Sequence, residues 1–336
     1  MKRFWIFWCV AAVLITGACS VEPSIGNEVG DFSENISLVS WNVQTFFNAE
    51  FDGSEYSNFC DSSKWNREKY SVRLERLCNA LVELDADVYV LEEIENESVI
   101  YDICNQLSGK SWTAGNKWNY SCFAKEENSA IGCAVLSKYE LRDMTVHCVD
   151  VRTEKEKQPV LRYLIEVSVL VKDKSLTILA NHWKSKVDGQ EDSEVWRQFQ
   201  EALLVQRLLE LKSRNSSVVI CGDFNKDIGE FNLDESEDGS KVLLNGKSLK
   251  CTDSVSVLCS WLGQTGNDYV NCGSYYFKGN WEKIDSFFIY GNCVLLKFEP
   301  CVNSLWCDSE GYPNGYKVYS GEGVSDHLPV KAYLRF

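Results

Sequence analysis

Short apolar runs separated by polar turns fill most of the chain after residue 35, and this pattern predicts a protein rich in β-strands. The predicted strands are residues 36–41, 87–91, 119–124, 131–137, 144–150, 161–171, 175–181, 217–222, 284–290, 293–298 and 330–335. The runs between residues 119 and 181 follow one another across polar or charged turns. We therefore expect these strands to pair antiparallel.

Three segments instead repeat their apolar residues at helical spacing. The first begins near Trp65, and the second, which Ser98 could cap, runs to Leu107. The third, from Glu194 to Lys212, is strongly amphipathic. Its apolar side consists of Trp196, Phe199, Leu203, Leu204, Leu208 and Leu211.

Two polar segments interrupt this regular pattern. Residues 48–64 have the composition of a loop, and residues 226–250, which are acidic and contain glycine, are expected to form an exposed loop or insertion. No repeat and no linker follow residue 35. Runs of strands with a few helices between them predict a single α+β domain over residues 36–336, with its sheets packed on each other.

The beginning of the chain has the pattern of an export signal. Lys2 and Arg3 are basic, and residues 4–15 form an apolar run that is too short to span a membrane comfortably. Small residues then lead to Cys19, which resembles the signal of a bacterial lipoprotein. Thr16 departs from that pattern, because an aliphatic residue usually stands three positions before the cysteine.

This resemblance implies a signal peptide at residues 1–18 and a lipid attached to Cys19, the first residue of the mature chain. Residues 19–35 are polar and are expected to tether the domain to a membrane. We expect an exported protein, either a lipoprotein of the bacterial cell envelope or a secreted protein.

The composition changes the picture in two respects. The 336 residues include 11 Trp, 15 Tyr and 16 Phe, which are enough to build a large core. The 34 Lys and Arg face 49 Asp and Glu, for a formal net charge of −15. This charge argues against a protein that binds polyanions through bulk electrostatics, whose affinity depends on many basic contacts. An enzyme that uses a metal ion can still act on phosphodiesters, because the cation supplies positive charge locally.

The cysteines allow disulfides without defining them. Thirteen of the 15 cysteines follow Cys19, so at least one thiol remains unpaired in a monomer. Cys133 and Cys221 stand inside apolar runs and are interpreted as core residues. Cys301 and Cys307 flank a short loop and could pair.

Chemically informative side chains gather where predicted strands end. Gly222-Asp223-Phe224-Asn225 follows the apolar run at 218–221, and two of the three histidines occur in similar positions. The other strand ends are Ser40-Trp41-Asn42, Glu92-Glu93-Ile94, Asn181-His182-Trp183-Lys184-Ser185, Lys283-Ile284-Asp285-Ser286 and Ser325-Asp326-His327. Each stretch alone fits an ordinary polar turn. Together they offer hard oxygen ligands and imidazoles, which suit a divalent cation that holds a phosphate.

This ordered set of motifs resembles the endonuclease/exonuclease/phosphatase superfamily, the fold of pancreatic deoxyribonuclease. Some stretches are most similar to its branch of bacterial secreted nucleases, among them Leu84-Asp85-Ala86-Asp87-Val88 and His182-Trp183-Lys184-Ser185-Lys186. The resemblance implies a four-layer α/β/β/α sandwich, in which helices flank two mainly antiparallel sheets. It also implies an active site at one rim of the sandwich.

The resemblance assigns a role to each motif residue. Glu93, helped by Asn42, would ligate Mg²⁺, with Mn²⁺ or Ca²⁺ as alternatives, and Asp326 would hold a metal ion or its water. The catalytic residues would be Asp223 and Asn225, which position the attacking water and the phosphate, and His182, His327 and Asp285, the last of which orients His327. Glu93 is chosen over Glu92 because the family's acidic ligand directly precedes an aliphatic residue.

Further residues are assigned with alternatives. Lys184, Ser185 and Arg197 are expected to contact the substrate, although Lys184 and Arg197 could be ordinary surface charges. The pancreatic enzymes place a glutamate against the first catalytic histidine, and only Glu126 and Glu127 are candidates for that role. No tyrosine matches the phosphate-contacting tyrosine of the repair enzymes. His147, in a predicted strand, is interpreted as structural.

The predicted function is an exported, metal-dependent phosphodiesterase, a nuclease for DNA, RNA or both, which acts as a monomer. A sphingomyelinase or a phosphoinositide phosphatase is the first alternative, because the same catalytic set serves those enzymes. A binding module on an inactive enzyme fold is the second, although no expected metal or histidine position is lost.

Overall fold

A computed structural model describes residues 34–109, 118–151, 157–212, 216–235, 239–262 and 272–336. The predicted signal peptide and Cys19 lie outside the described residues. Within them, no helix has the length and apolar composition needed to cross a membrane.

The described residues of the domain form sixteen strands and three α-helices. The strands are β1 (Asn35–Phe46), β2 (Val88–Ile94), β3 (Tyr120–Ala124), β4 (Gly132–Ser137), β5 (Glu140–His147), β6 (Leu164–Val171), β7 (Lys174–His182), β8 (Ser217–Asp223), β9 (Asn232–Leu233), β10 (Lys241–Asn245), β11 (Ser254–Cys259), β12 (Tyr275–Phe277), β13 (Asn280–Glu282), β14 (Asp285–Gly291), β15 (Val294–Pro300) and β16 (Val330–Arg335). The helices are α1 (Arg67–Leu84), α2 (Glu97–Gly109) and α3 (Gln190–Lys212).

The strands build two large sheets and one small hairpin. The first sheet has the order β15-β16-β1-β2-β4-β3, the second has the order β5-β6-β7-β8-β14-β11-β10-β9, and β12 pairs with β13. Only β1–β2 and β7–β8 pair in parallel among the described strands. Two mainly antiparallel sheets with few helices confirm the predicted sandwich.

The cores follow from the strand period of two, which sends successive side chains to opposite faces. Leu38 and Val90 of the first sheet pack with Ile178 and Val219 of the second, so this part of the cluster lies between the sheets. Leucines of α3 cover the other face of the second sheet within the same cluster.

The outer face of the first sheet forms a separate cluster. Val39 and Leu91 alternate with the inward residues and pack with Leu77 and Leu81 of α1 and with Ile103 of α2. Asn66 caps the N-terminus of helix α1, since its side chain accepts a hydrogen bond from the Lys69 amide. Two helical layers therefore enclose two sheets.

Some local expectations were wrong. The predicted loop at 226–250 contains β9 and β10, whose Val242 and Leu244 are buried. The run that forms β10 is only three apolar residues long, so its burial against β11 was not visible in the pattern. Strand β5 begins at Glu140, whereas the prediction placed it at residues 144–150. The prediction was wrong because β5 is an exposed edge strand in which apolar and polar residues do not alternate clearly.

Two further predictions, one on cysteine pairing and one on the role of His147, can be compared with the structure. Cys301 and Cys307 do not form a disulfide with each other. His147 Nε2 lies 2.9 Å from Glu166 Oε2, and Arg207 also contacts Glu166. This group joins β5, β6 and α3, which is a structural arrangement.

Candidate active site

The polar strand ends meet at one rim of the sandwich because of the sheet topology. In each parallel pair the carboxyl ends lie side by side, and β14 begins opposite the end of β8, with Asp285 paired to Asp223. The segment before β16 reaches the same rim, where His327 forms an isolated bridge with Tyr275.

An irregularity at the end of β2 separates the two neighbouring glutamates. Glu93 has a left-handed backbone (φ 65°), and the register shifts between Glu92 and Ile94. Glu92 is fully buried and accepts a hydrogen bond from Ser40 Oγ at 2.8 Å, while burial raises its pKa well above the ordinary range. Glu93 is half-buried, so it is the glutamate that faces the rim.

Asn42 connects the carboxylates of the two sheets. Its Nδ2 donates to Glu93 Oε1 at 3.2 Å and to Asp223 Oδ2 at 3.0 Å. Its Oδ1, the atom that would ligate a cation, accepts instead from the Gln44 amide at 3.0 Å. As placed here, Asn42 therefore positions carboxylates, and the Thr45 amide holds the other oxygen of Glu93 at 2.6 Å.

The end of β8 requires glycine at position 222. Gly222 has φ 137°, and a Cβ there would lie 1.9 Å from the Asn181 carbonyl oxygen. This close approach of β7 and β8 places His182 beside Asp223, with Nε2 at 3.7 Å from Asp223 Oδ2. Asn225, also left-handed at φ 47°, donates its amide to Asp223 Oδ1 at 2.8 Å.

His327 is oriented by contacts from both sheets. Its Nδ1 lies 2.8 Å from Asp285 Oδ2. Its amide donates to Ser325 Oγ at 3.1 Å, and its carbonyl accepts from Trp41 Nε1 at 2.9 Å. Ser325 in turn donates to the Asn42 carbonyl at 2.5 Å. The imidazole is thus fixed before any substrate arrives.

Burial and charge move the pKa values of the two histidines apart. Burial, with help from Arg162 and His327, holds the pKa of His182 well below its usual value. Burial alone would also lower the pKa of His327, but the carboxylates of Asp285, Asp223 and Asp326 raise it well above normal. At neutral pH the site therefore holds one neutral imidazole and one imidazolium.

The carboxylic acids respond to the same surroundings. Burial, followed by the charge of Asp285, raises the pKa of Asp223 to about 7. Burial also raises the pKa of Asp326, which the His327 charge partly offsets. Several carboxylates share little solvent, so their mutual repulsion favours protons or cations in the site.

This donor set fits a divalent metal ion. One carboxylate oxygen each from Asp223 and Asp285 lies within 4.8 Å of the other and of a ring nitrogen of His327, which is protonated and would not itself ligate the ion. Asp285 Oδ1 is buried without a hydrogen-bond partner among the described residues. Glu93 Oε1, 3.9 Å from His182 Nε2, adds an oxygen on the other side. Such carboxylate oxygens are ligands that Mg²⁺ and Mn²⁺ prefer.

Sequence reasoning missed two side chains that border this rim, Arg162 and Tyr56, and gave Tyr275 only as one of the core or rim aromatic residues near 261–281. Arg162 donates to the Trp183 carbonyl at 3.1 Å and affects the pKa of His182. Tyr56 lies against Arg162, and Tyr275 stacks on His327 with ring centroids 4.6 Å apart. None belongs to a motif, and only the pairing of distant strands and loops brings them here.

The structure separates the three predicted substrate contacts. Lys184 and Ser185 are half-buried directly after His182 and Trp183. Arg197 is 0% exposed and donates to the carbonyls of Lys184 and Gln190. The prediction that Arg197 contacts the substrate is corrected, because a buried guanidinium that binds carbonyls holds the 184–190 loop instead.

The two candidate partners of His182 do not reach it. Glu126 accepts from the Asn128 amide at 2.7 Å within its own turn, and Glu127 is exposed. Nδ1 of His182 has no hydrogen-bond partner among the described residues. The ring lines a small pocket together with Arg162 and Gln200.

Three solved structures share this fold over nearly their whole length. Truncated TDP2 from Caenorhabditis elegans has a TM-score of 0.55 and 15% identity, covering 89% of this chain and 97% of that one. TDP2 from D. rerio, complexed with a single-strand DNA product, has a TM-score of 0.54 and 14% identity, covering 89% and 98%. An endonuclease/exonuclease/phosphatase family protein from Bacteroides thetaiotaomicron has a TM-score of 0.52 and 14% identity, covering 90% and 98%.

The sequence itself gives the family. No curated protein matches this chain. A family model described as the Endonuclease/Exonuclease/phosphatase family matches residues 37–335, a span that includes every motif residue at the rim. The chain therefore belongs to the endonuclease/exonuclease/phosphatase family.

Proposed function

We propose that this protein is a metal-dependent nuclease that hydrolyses phosphodiester bonds in DNA, RNA or both. The observation that carries the proposal is the pair of histidines with opposite pKa shifts beside Asp223, where His182 Nε2 lies 3.7 Å from Asp223 Oδ2 and the Asp223 charge acts on His327. A neutral imidazole and an imidazolium beside a carboxyl group supply the proton transfers and the charge that hydrolysis of a phosphodiester requires.

Each side chain then has a chemical role. Asp223, with a pKa of about 7, accepts the proton of the attacking water, and Asn225 fixes its carboxylate. The His327 imidazolium, held by Asp285, offsets the negative charge that develops on phosphorus oxygens and gives its proton to the leaving oxygen as the bond from that oxygen to phosphorus breaks. His182 presents Nε2 from the other side and hydrogen-bonds the phosphate.

Glu93 and Asp326 would hold Mg²⁺ or Mn²⁺ at this rim, with Asn42 positioning Glu93. The bound ion supplies Lewis-acid stabilisation of the phosphoryl oxygens. The protein side chains at the rim are acidic, so the cation also reduces their repulsion toward an anionic substrate.

A nucleic-acid substrate is supported by two observations. Tyr275 stacks on His327 and is half-buried, so its ring could receive a base next to the scissile phosphate. The structurally similar TDP2 from D. rerio was solved with a single-strand DNA product. Arg162, Lys184 and Ser185 border the same rim and could contact neighbouring phosphates.

The deciding experiment offers plasmid DNA, RNA and sphingomyelin vesicles in parallel to the purified protein with Mg²⁺. Hydrolysis of nucleic acid that stops on chelation and returns with Mg²⁺ or Mn²⁺ supports the proposal. Asp223→Asn, which keeps an acceptor for the Asn225 amide, is the control for contaminating nucleases. Full activity after exhaustive chelation would contradict the proposed metal dependence.

A lipid phosphodiesterase is the second candidate, and the hairpin β12–β13 favours it. Tyr276, Trp281 and Tyr312 pack on one another, with 4.3 Å between the centroids of Tyr276 and Tyr312 and with the rings of Trp281 and Tyr312 stacked. Phe277 at the turn is 46% exposed. Aromatic rings at a protein surface suit a membrane interface. Hydrolysis of sphingomyelin without cleavage of DNA or RNA would select this function.

We further propose that the protein acts as an exported monomer, anchored by a lipid on Cys19. The basic start, the apolar run and the small residues before Cys19 support export. Cys19→Ala should release the protein from the membrane fraction, because the thioether lipid requires the thiol. Mass spectrometry that finds an unmodified Cys19, or a mature chain that begins elsewhere, would contradict the anchor.

A further inference from the structure

A second acidic cluster lies outside the active site. It consists of Asp52 and Glu55, in the loop after β1, and Glu95, just after β2. One carboxylate oxygen from each residue lies within 4.8 Å of the other two. The active-site model uses none of these three side chains.

Glu95 distinguishes this cluster from ordinary surface acids. The residue is 0% exposed, and its Oε2 accepts a hydrogen bond from the Asn48 amide at 2.6 Å. Its Oε1 is buried and has no hydrogen-bond partner among the described residues. A buried carboxylate oxygen without a partner is costly, so it needs a proton or a cation.

The loop presents its two acids in fixed positions. The amides of Asp52 and Gly53 donate to Glu55 at 2.7 and 2.9 Å, and the Ser54 amide donates to Asp52 Oδ1 at 2.8 Å. Asp52 is exposed and Glu55 is half-buried. A cation held here would therefore be ligated by the buried Glu95 on one side and would keep water on the other.

We propose that Asp52, Glu55 and Glu95 bind a divalent cation of the Ca²⁺ class at a structural site separate from the active site. Three carboxylates and several waters match the six to eight oxygen ligands and irregular geometry of Ca²⁺, whereas Mg²⁺ demands a near-ideal octahedron. The two sites do not share ligands, since Glu93 is held by Asn42 and Thr45 while Glu95 is held by Asn48.

The site would fasten the loop to the end of β2. The same loop carries Tyr56, whose ring packs on Phe47 at 5.4 Å and whose side chain lies against Arg162. Arg162 borders His182. Ca²⁺ at this cluster therefore fixes one wall of the substrate rim without taking part in the reaction.

A basic side chain, Lys125, gives the competing explanation. Lys125 acts electrostatically on both Asp52 and Glu95. If this ammonium group already compensates the cluster, no cation is required and none will bind. A measurement of Ca²⁺ binding by the folded protein distinguishes a cluster that binds a cation from one that Lys125 compensates.

The test uses the purified protein with Glu93→Gln, which weakens the active-site metal position. Ca²⁺ binding is measured by calorimetry, Tb³⁺ binding by luminescence sensitised through Tyr56 and nearby aromatic residues, and stability by thermal unfolding. We expect Ca²⁺ binding and a higher Tm. Introducing Glu95→Gln into the Glu93→Gln protein should weaken the binding of Ca²⁺ and Tb³⁺ at least tenfold and abolish the rise in Tm. The matched control is the substitution Glu50→Gln, at an exposed acid in the same loop. It should change neither the binding of Ca²⁺ nor the rise in Tm.

Gln at position 95 keeps an oxygen that accepts from Asn48, so the fold should persist. Asp52→Asn and Glu55→Gln provide second variants at solvent-accessible positions, checked by circular dichroism. They should weaken the same binding event. The proposal is overturned if the Glu93→Gln protein binds no Ca²⁺ or Tb³⁺, or if binding survives in the folded Glu95→Gln and Asp52→Asn variants.

Discussion

At the scale of single residues, this site depends on environments that make similar side chains behave differently. Glu92 and Glu93 are neighbours, yet Glu92 lies between the sheets and Glu93 faces the rim. The two side chains separate because the backbone adopts a left-handed conformation at Glu93. His182 and His327 differ in the same way, since only His327 has a carboxylate hydrogen bond. Their pKa values therefore shift in opposite directions.

Removing either rim histidine should cost activity rather than fold. His182→Ala and His327→Ala should each lower kcat by roughly 10²–10⁴-fold, the usual contribution of a general acid or base. Because both act on one phosphate, the double variant should lose less than the product of the single losses. His147→Ala, which removes a contact to Glu166, should keep nearly full kcat and lose some stability. An active and folded His327→Ala protein would contradict the assigned site.

The pH profile should reveal what Asp285 does. Its carboxylate raises the pKa of His327, so the imidazolium persists to higher pH. Asp285→Asn removes that charge and lowers this pKa, so the loss of kcat on the alkaline side should begin at lower pH. The measurement is kcat against pH for both proteins. A uniform decrease in kcat without movement of the alkaline limb would show that Asp285 acts only structurally.

At the scale of secondary-structure elements, strand pairing delivers the catalytic residues. The parallel pairs β1–β2 and β7–β8 end at the same rim, and β14 starts there. The approach of β7 to β8 depends on a position without a side chain, Gly222. This makes one backbone contact decisive for the placement of both His182 and Asp223.

Gly222→Ala should therefore be severely destabilising. The new Cβ would overlap the Asn181 carbonyl, and φ 137° is strained for alanine. We expect a loss of unfolding free energy of roughly 4 kcal/mol or more, the range of exceptional substitutions. Gly109→Ala, where nothing lies within 4 Å of the added Cβ, is the control and should be near neutral. Urea denaturation followed by circular dichroism compares the two, and equal stabilities would refute the packing argument.

Sequence reasoning succeeded where chemistry and local pattern coincide. Strand ends such as 222–225 and 181–185 could be recognised because polar motifs directly follow apolar runs. Arg162 and Tyr56 were missed because their proximity to the rim depends on contacts between distant parts of the chain. Arg197 was misjudged for a related reason: a charged residue on a helix looks solvent-facing until the loop that covers it is known.

At the scale of the whole molecule, the rim concentrates negative charge in an already acidic protein. Asp223 has a pKa of about 7 in the fold and 3.8 as an ordinary side chain. Between these values the folded state binds more protons than the unfolded state, so its stability falls as pH rises from about 4 to about 7. A cation relieves this cost once the carboxylates are ionised.

The stability of the metal-free protein should show this linkage. In EDTA at pH 8, Asp223→Asn should raise Tm by several degrees, because it removes a buried charge that is fully ionised there. At pH 5 the gain should be smaller, because the folded state keeps Asp223 protonated. Mg²⁺ should likewise raise the Tm of the unaltered protein more at pH 8 than at pH 5. Thermal unfolding at both pH values is the measurement, and a gain independent of pH would contradict the raised pKa.

The hydrogen bonds that complete the site run between the two sheets. Asn42 reaches Asp223 across them, and Asp285 of the second sheet holds His327, which precedes the last strand of the first. A ribosome must therefore release almost the entire chain before His327 can join the site and complete it. For the exported protein proposed above, a nascent or threaded chain would be harmless to the nucleic acids of the cell that makes it. Hydrolysis would begin only where folding finishes, on the far side of the membrane.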